Sequence, residues 1–324
     1  MTRTDVDTLP KAELHLHFEA AMSRASAVEL ADHYGLTAPA TGSFANLSEF
    51  VVAYERARDV IGSLEDLREL ARQLGERQGA DGVVWTEVHF VPATYAGRLG
   101  PDDGLVEAVL DGLAAGAGVD HAGLVIGINR GLPIPAAEPM LELALRWTGR
   151  GVVALGLAGD ETHYPAARFA DLFRRAHADG LPRVPHGGEG AGADHVRETI
   201  EMLLPDRICH GGRALEDDTV VDLLREEDVC LDMAPISNTL LSVVPDLERH
   251  PLPVLARRGV PVTLNTDIPL FTGVTLSEEY RQCVDAWRLD DDDVVRLART
   301  SVERSLCPDH VRSAALRELG AVTA

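Results

Sequence analysis

Residues 13–20 read ELHLHFEA. Apolar and polar side chains alternate there, which is the period of a strand, and alternate side chains of a strand share a face. His15 and His17 therefore point the same way. A hydrogen-bonded core pair and a pair of metal ligands both satisfy this pattern, so the other strands must decide. Seven more β-rich runs follow: GVVWTEVHF (82–90), AGLVIGINR (122–130), VVALGLAG (152–159), PRVPHGGE (182–189), RICHGG (207–212), VCLDMAP (229–235) and VPVTLNTDIP (260–269). Amphipathic stretches such as DLRELARQLGERQGA (66–80) and DHVRETIEMLL (194–204) separate them.

Strands alternating with helices make parallel βαβ units. Eight such units in 324 residues are expected to form a single α/β domain over 1–324, a (β/α)8 TIM barrel. An open doubly wound sheet is the competing arrangement, but no Gly-rich fingerprint follows the first strand. About 60 residues separate the first two strands, room for three helices near 24–35, 46–60 and 64–79. These extra helices are expected to form a helical lid, at about 24–79, over the barrel mouth.

Chemistry on such barrels gathers at the C-terminal ends of the strands. Those ends bring His15 and His17, Gly159-Asp160-Glu161, His186 and Glu189, His210, Ser237-Asn238, and Asp267. Convergence from separate strands favours a site over core histidines. Three imidazoles and a carboxylate (His15, His17, His186 and Asp267) suit one catalytic Zn2+ or similar divalent ion per chain. A second metal bridged by a carboxylated lysine is excluded, because Lys11 is the only lysine. A water at such an ion is acidified towards about pH 7. His210 could accept that water's proton or hold the nucleophile in place. Glu189 could donate a proton to a substrate, or simply open the next helix. Ser237-Asn238 reads as fixing the turn after strand 7. His163 reads as a possible substrate contact, and His33, His121, His177, His195, His250 and His310 as surface or capping residues.

The bulk composition limits the partners. A net charge of −22 argues against nucleic acid or an anionic membrane surface. Cys209, Cys230, Cys283 and Cys307 form no C-x-x-C pair, so they read as reduced structural thiols. No signal sequence or spanning run is evident, and a soluble cytoplasmic protein, a homo-oligomer being one option, is expected.

LPKAELHLHFEA, LAGDE (157–161), HGGE (186–189), RICHG (207–211), PISN (235–238) and TLNTDIP (263–269) together resemble the adenosine/adenine deaminase family of metal-dependent aminohydrolases. The resemblance runs from about residue 9 to about residue 310. It implies a zinc barrel with His15, His17, His186 and Asp267 as ligands. It implies that Glu189 protonates the ring nitrogen beside the attacked carbon, that His210 orients and deprotonates the water, and that the Gly159 backbone contacts a purine. The implied reaction adds hydroxide to an aromatic amidine carbon and expels ammonia, within purine metabolism.

Departures from the family pattern lie on the recognition side. Ile268 stands where a second aspartate usually contacts the purine, and it can neither donate nor accept. His89 stands for an arginine, Gly156 for an aspartate, Cys209 for a glycine and Ala20 for a glycine. Glu19 stands where adenosine-specific members mostly carry aspartate. The expected activity is therefore deamination of an adenine-like or related heterocyclic amine, with adenosine a poor substrate. The expected substrate-binding residues are Gly159, Glu19, Ile268 and His89. The alternatives are hydrolysis of another C–N bond, such as an amide or cyclic imine, and a catalytically silent nucleobase-binding relative.

Overall fold

The computed structural model describes residues 4–42, 44, 47–95, 97–118 and 120–322. Eight parallel strands follow one another in chain order. They are β1 (Lys11–His17), β2 (Val83–Phe90), β3 (Ala122–Asn129), β4 (Val152–Ala158), β5 (Arg183–Gly187), β6 (Arg207–His210), β7 (Cys230–Met233) and β8 (Val262–Leu264). Helices fill the connections, so this is the expected (β/α)8 barrel.

The strands end sooner than their apolar runs. β1 stops at His17 and turns into a short 3-10 segment, Glu19–Ala21. β7 gives way to a short helix, Pro235–Leu240, that starts on a proline. β8 keeps only three residues of a run that reads as strand over 260–269. The missing ladder at β8 is replaced by a different seam. Asp267 N–H donates to the His15 carbonyl at 3.0 Å, and His17 N–H donates to the Asp267 carbonyl at 2.9 Å. Below them Leu14 N–H donates to Asn265 Oδ1 and Thr266 N–H to Glu13 Oε1, each at 2.8 Å. The barrel closes through these bonds.

Three helices occupy the β1–β2 connection, at Arg24–Tyr34, Leu47–Asp59 and Leu64–Ala80. The expected start of the middle one, residue 46, lies outside the described residues. Ser23 and Ser63 cap the first and third by accepting from Ser26 N–H and Asp66 N–H. The third helix packs tightly on helix Asp102–Ala117. A Cβ at Gly112 or Gly116 would come within 2.1 Å of the Arg68 carbonyl oxygen or 2.0 Å of that of Arg72. That contact places it in the outer ring of the barrel. Among the described residues, no helix is long and apolar enough to cross a membrane.

The barrel interior carries a buried charged layer. Arg207 on β6 meets Glu87 on β2 and donates from Nε to Asp232 Oδ2 on β7 at 2.8 Å. Thr263 on β8 donates to Asp232 Oδ1 at 2.9 Å. The three charged side chains are at most 2% exposed, so each depends on the others for solvation. Arg207→Ala would strand two buried carboxylates, and we expect it to destabilise the fold by about 3–5 kcal/mol in chemical denaturation. A loss below about 1 kcal/mol would mean that the layer behaves like a solvated surface pair.

Candidate metal and catalytic site

The seam at β8 also gathers four donor atoms. Asp267 Oδ1 lies 3.3 Å from His15 Nε2 and 3.4 Å from His17 Nε2. His186 Nε2, from β5, lies 3.2 Å from His15 Nε2 and 3.0 Å from His17 Nε2. Donors at about 2.0–2.1 Å around a tetrahedral zinc ion stand about 3.3–3.4 Å apart, and these four of the six separations in the set lie close to that spacing. The protonation chemistry fits at His17 and His186, whereas at His15 burial disfavours the cation but the Asp267 carboxylate outweighs it and raises the pKa. His15 Nδ1 donates to the Asp232 carbonyl at 3.0 Å, which leaves the Nε2 lone pair facing the other donors. Burial drives His17 down to about 4 and lowers His186 too, so both imidazoles are neutral and able to ligate. Burial opposes ionisation of Asp267, but the imidazoles of His15, His17 and His210 overcome it and hold the carboxyl below its usual range. Ser237 Oγ donates to Asp267 Oδ2 at 2.7 Å and fixes the carboxylate plane.

Glu189 and His210 flank the four donors. His210 Nε2 lies 3.5 Å from Glu189 Oε2 and 4.0 Å from Asp267 Oδ2. Burial pushes the Glu189 carboxyl up to about 8, and the charges of Asp267 and Glu161 add to it. Its side chain keeps 29% exposure, and solvent moderates that rise. His210 and Asp267 both hold left-handed backbone, at φ 70° and 60°. Such strain costs roughly 1–3 kcal/mol per residue and concentrates at functional sites.

Glu161, read from sequence only as part of a strand-4 terminus, has a defined place. Its Oε2 accepts from Gly188 N–H, and its Oε1 from the N–H groups of Glu189, Gly190 and Ala191, all at 2.8–2.9 Å. One carboxylate thus holds the four successive amides of the turn that carries Glu189. Arg130, buried beside it, donates to the His186 and Tyr164 carbonyls.

The four residues expected to meet substrate lie in different surroundings. Glu19 is 2% exposed and accepts from Tyr95 OH at 2.9 Å and Tyr54 OH at 3.0 Å. Both its oxygens are therefore engaged. Ile268 is 2% exposed and belongs to the same apolar cluster as Leu16, Phe18 and Phe271. Phe44, Phe50, Tyr54 and Phe271 stack edge to face or in parallel beside it. His89 packs against the rings of His15, His17 and His186 at 5.4–5.6 Å, with Nε2 3.7 Å from Cys209 Sγ. Gly156 lies near it, where a Cβ would make only ordinary contact with His89 Nδ1 at 3.4 Å but would crowd Val125 Cγ1 at 2.9 Å. Gly159 follows β4 at φ 105°, where only glycine is unstrained.

One sequence expectation is corrected. His250 is no surface residue: it is 2% exposed, stacks on Trp287 and bonds Asn238. A lone histidine between Arg249 and Pro251 gave no sign of this. His163, read as a substrate contact, is exposed and pairs with Asp160. Asn238 does more than shape its turn, because its Nδ2 also reaches His210 Nδ1 at 3.2 Å.

The clamp at Glu161 has a direct readout. Glu161→Gln keeps the shape but offers a single acceptor oxygen, leaving one or more of the four amides without a partner. We expect amide hydrogen exchange at 188–191 to quicken by about tenfold or more, with the rest of the barrel unchanged. Unchanged exchange there would show that the turn holds itself.

Comparison with known proteins shows the family. Residues 10–322 match the adenosine deaminase family model. A putative adenosine/adenine deaminase from Streptomyces virginiae is 34% identical over 322 residues, covering 95% of each chain. An adenine deaminase from Caulobacter vibrioides is 34% identical over 318 residues, covering 93% of this chain and 90% of its own. The crystal structure of an adenine deaminase from Arthrobacter aurescens superimposes with a TM-score of 0.86 at 28% identity, covering 98% of this chain and all of that one. A barrel with this strand order, these motifs and these relatives belongs to the adenosine deaminase family.

Proposed function

We propose that the protein is a metal-dependent aminohydrolase that replaces the ring amine of an adenine-like heterocycle with oxygen and releases ammonia. The observation that carries this reading is the meeting of four ligand-type atoms, with His186 and Asp267 each 3.0–3.4 Å from both His15 and His17, beside a carboxyl group poised to donate a proton. His15, His17, His186 and Asp267 would hold one divalent ion, and three nitrogens with one oxygen favour zinc. Such an ion supplies Lewis acidity and makes water nucleophilic near neutral pH.

The remaining work falls to the chain. Glu189, protonated, donates to the ring nitrogen next to the attacked carbon, so the ring can accept the incoming oxygen's electrons. His210 faces the attacking oxygen. Glu161 holds the Glu189 turn, and Ser237 orients Asp267. The first two helices of the β1–β2 connection act as a lid, with Tyr54 reaching Glu19 from above. Nucleic acid and membrane surfaces are unsuited to a protein of charge −22.

Substrate choice rests on Ile268 and Glu19. An apolar side chain beside Asp267 leaves any acceptor nitrogen there without a partner, at roughly 1–3 kcal/mol. Glu19, already bonded to two tyrosines, has little left to offer a ribose hydroxyl. A compact heterocycle without a sugar suits this wall best.

An ammonia-release screen over purines, pterins, pyrimidines and their nucleosides tests the reading, and it separates deamination from hydrolysis of another C–N bond or from silent binding. We expect adenosine to lie at least about tenfold in kcat/KM below the best substrate. Ile268→Asp should narrow that gap for adenine and adenosine, by up to the roughly 1–3 kcal/mol of one recovered hydrogen bond. Adenosine turnover near the diffusional ceiling in the wild type would refute the role of Ile268.

Glu189 gives a second test. Its carboxyl, raised from 4.5 to about 8, is in the donating form below that pH and loses the proton above it. We therefore expect kcat to fall as pH rises through this range. Glu189→Gln should lower kcat by about 10²–10⁴ and remove that limb of the profile. A Gln variant within a few-fold of wild type would assign the proton donor to another group.

A further inference from the structure

A chain of four hydrogen-bonding groups runs from the barrel wall into the site, and its polarity is set at its far end. Leu252 N–H, a backbone group that can only donate, points at His250 Nδ1 at 3.3 Å. His250 Nδ1 is therefore an acceptor, and the proton of its ring sits on Nε2. That Nε2–H faces Asn238 Oδ1 at 3.1 Å. The amide orientation of Asn238 follows, since a flip would set its NH2 against the His250 N–H. Asn238 Nδ2 then donates to His210 Nδ1 at 3.2 Å. With a donor facing Nδ1, the proton of His210 sits on Nε2, the nitrogen that faces Glu189 and Asp267.

We propose that Asn238 and His250 are positioning residues that lock His210 as the Nε2–H tautomer, so that it enters the site as a hydrogen-bond donor and not as the acceptor of the nucleophile's proton. The proposal rests on the deaminase reading for what His210 acts on; the tautomer itself does not depend on that reading. All three residues are at most 3% exposed, so water offers no competing partner. The relay is also mechanically anchored. His250 stacks on Trp287 at 5.9 Å and 22°, and Trp287 Nε1 donates to the Leu247 carbonyl at 2.6 Å. The Asn238 carbonyl is itself held by Val243 N–H at 2.8 Å and Val244 N–H at 3.2 Å.

The consequence is a division of labour. A donor fixed at the mouth of the site stabilises negative charge developing on the attacking oxygen, and it needs no reorganisation to do so. No lone pair on His210 faces that oxygen. The proton that the nucleophile loses is left to Asp267, or to Glu189 once that carboxyl has donated its own.

The test is spectroscopic first. In protein labelled with 15N-histidine, long-range 1H–15N correlations report which ring nitrogen carries the proton, and the His210 pattern is the one lost in His210→Gln. We expect Nε2–H on His210, in metal-free and zinc-loaded protein alike. His250→Phe keeps the stack on Trp287 but removes the donor, and it should release the tautomer to a mixture. It should also lower kcat by about tenfold or more, as loss of outer supporting partners does, with KM little changed. His250→Gln retains an N–H for Asn238 and should restore both readouts. An Nδ1–H pattern on His210 in the wild type overturns the proposal, and so does a His250→Phe protein with unchanged tautomer and kcat. If His250→Phe fails to fold, the wild-type spectrum alone decides. Absence of ammonia release with Nε2–H present would count against the deaminase reading and leave the tautomer assignment standing.

Discussion

Two backbone hydrogen bonds between β1 and Asp267 close the barrel, and the residues that make them are the residues whose side chains converge. The His15 carbonyl and the His17 amide bond to the Asp267 amide and carbonyl, while the three side chains meet on the inner side of the same seam. Closure of the sheet and assembly of the donor set are thus one event. It carries a cost, because Asp267 must adopt left-handed backbone, worth roughly 1–3 kcal/mol, to turn its carboxylate inward. The bonds from Leu14 and Thr266 to Asn265 and Glu13 offset that cost by holding the short β8 in register. A barrel that closed with a longer, regular β8 would leave Asp267 in the ladder and its carboxylate turned elsewhere.

The support beneath the donors is made as one unit from residues that read as unrelated oddities. His89, Gly156 and Cys209 lie on β2, β4 and β6, at positions that read in the sequence as departures from the family pattern. The His89 ring packs beside Gly156 and reaches the Cys209 sulfur, while Val125 fills the space that Gly156 leaves open. Burial pushes that thiol well above its ordinary range, so it remains protonated beside the ring. Below, the Arg207 layer holds Asp232, whose carbonyl accepts from His15. Rigidity of the site therefore comes from buried polar contacts as much as from apolar packing.

Much of this was legible in the chain, for a physical reason. Metal-ligand types at the ends of separate strands are rare by chance, and strand period sets which of them share a face, so His15, His17, His186, His210 and Asp267 could be gathered without coordinates. Strand limits were less legible: the apolar runs continue past Met233 and Leu264, where the backbone has already left the ladder. Glu161 and His250 escaped for another reason. The partners of Glu161 are backbone amides, which carry no sequence signature, and His250 sits in the polar stretch ERHP, whose burial depends on Trp287 from a distant helix. Function lies partly in such partners.

The central claim is that one divalent ion is held by three imidazoles and Asp267. X-ray absorption spectroscopy of the zinc-loaded protein measures this directly. The account expects only nitrogen and oxygen scatterers at about 2.0–2.1 Å, at about one zinc per chain. A sulfur shell at about 2.3 Å would bring in Cys209, whose sulfur lies within 4.8 Å of donors on His15 and His186. That shell, or a metal–metal distance of about 3.5–4 Å, would contradict the mononuclear site.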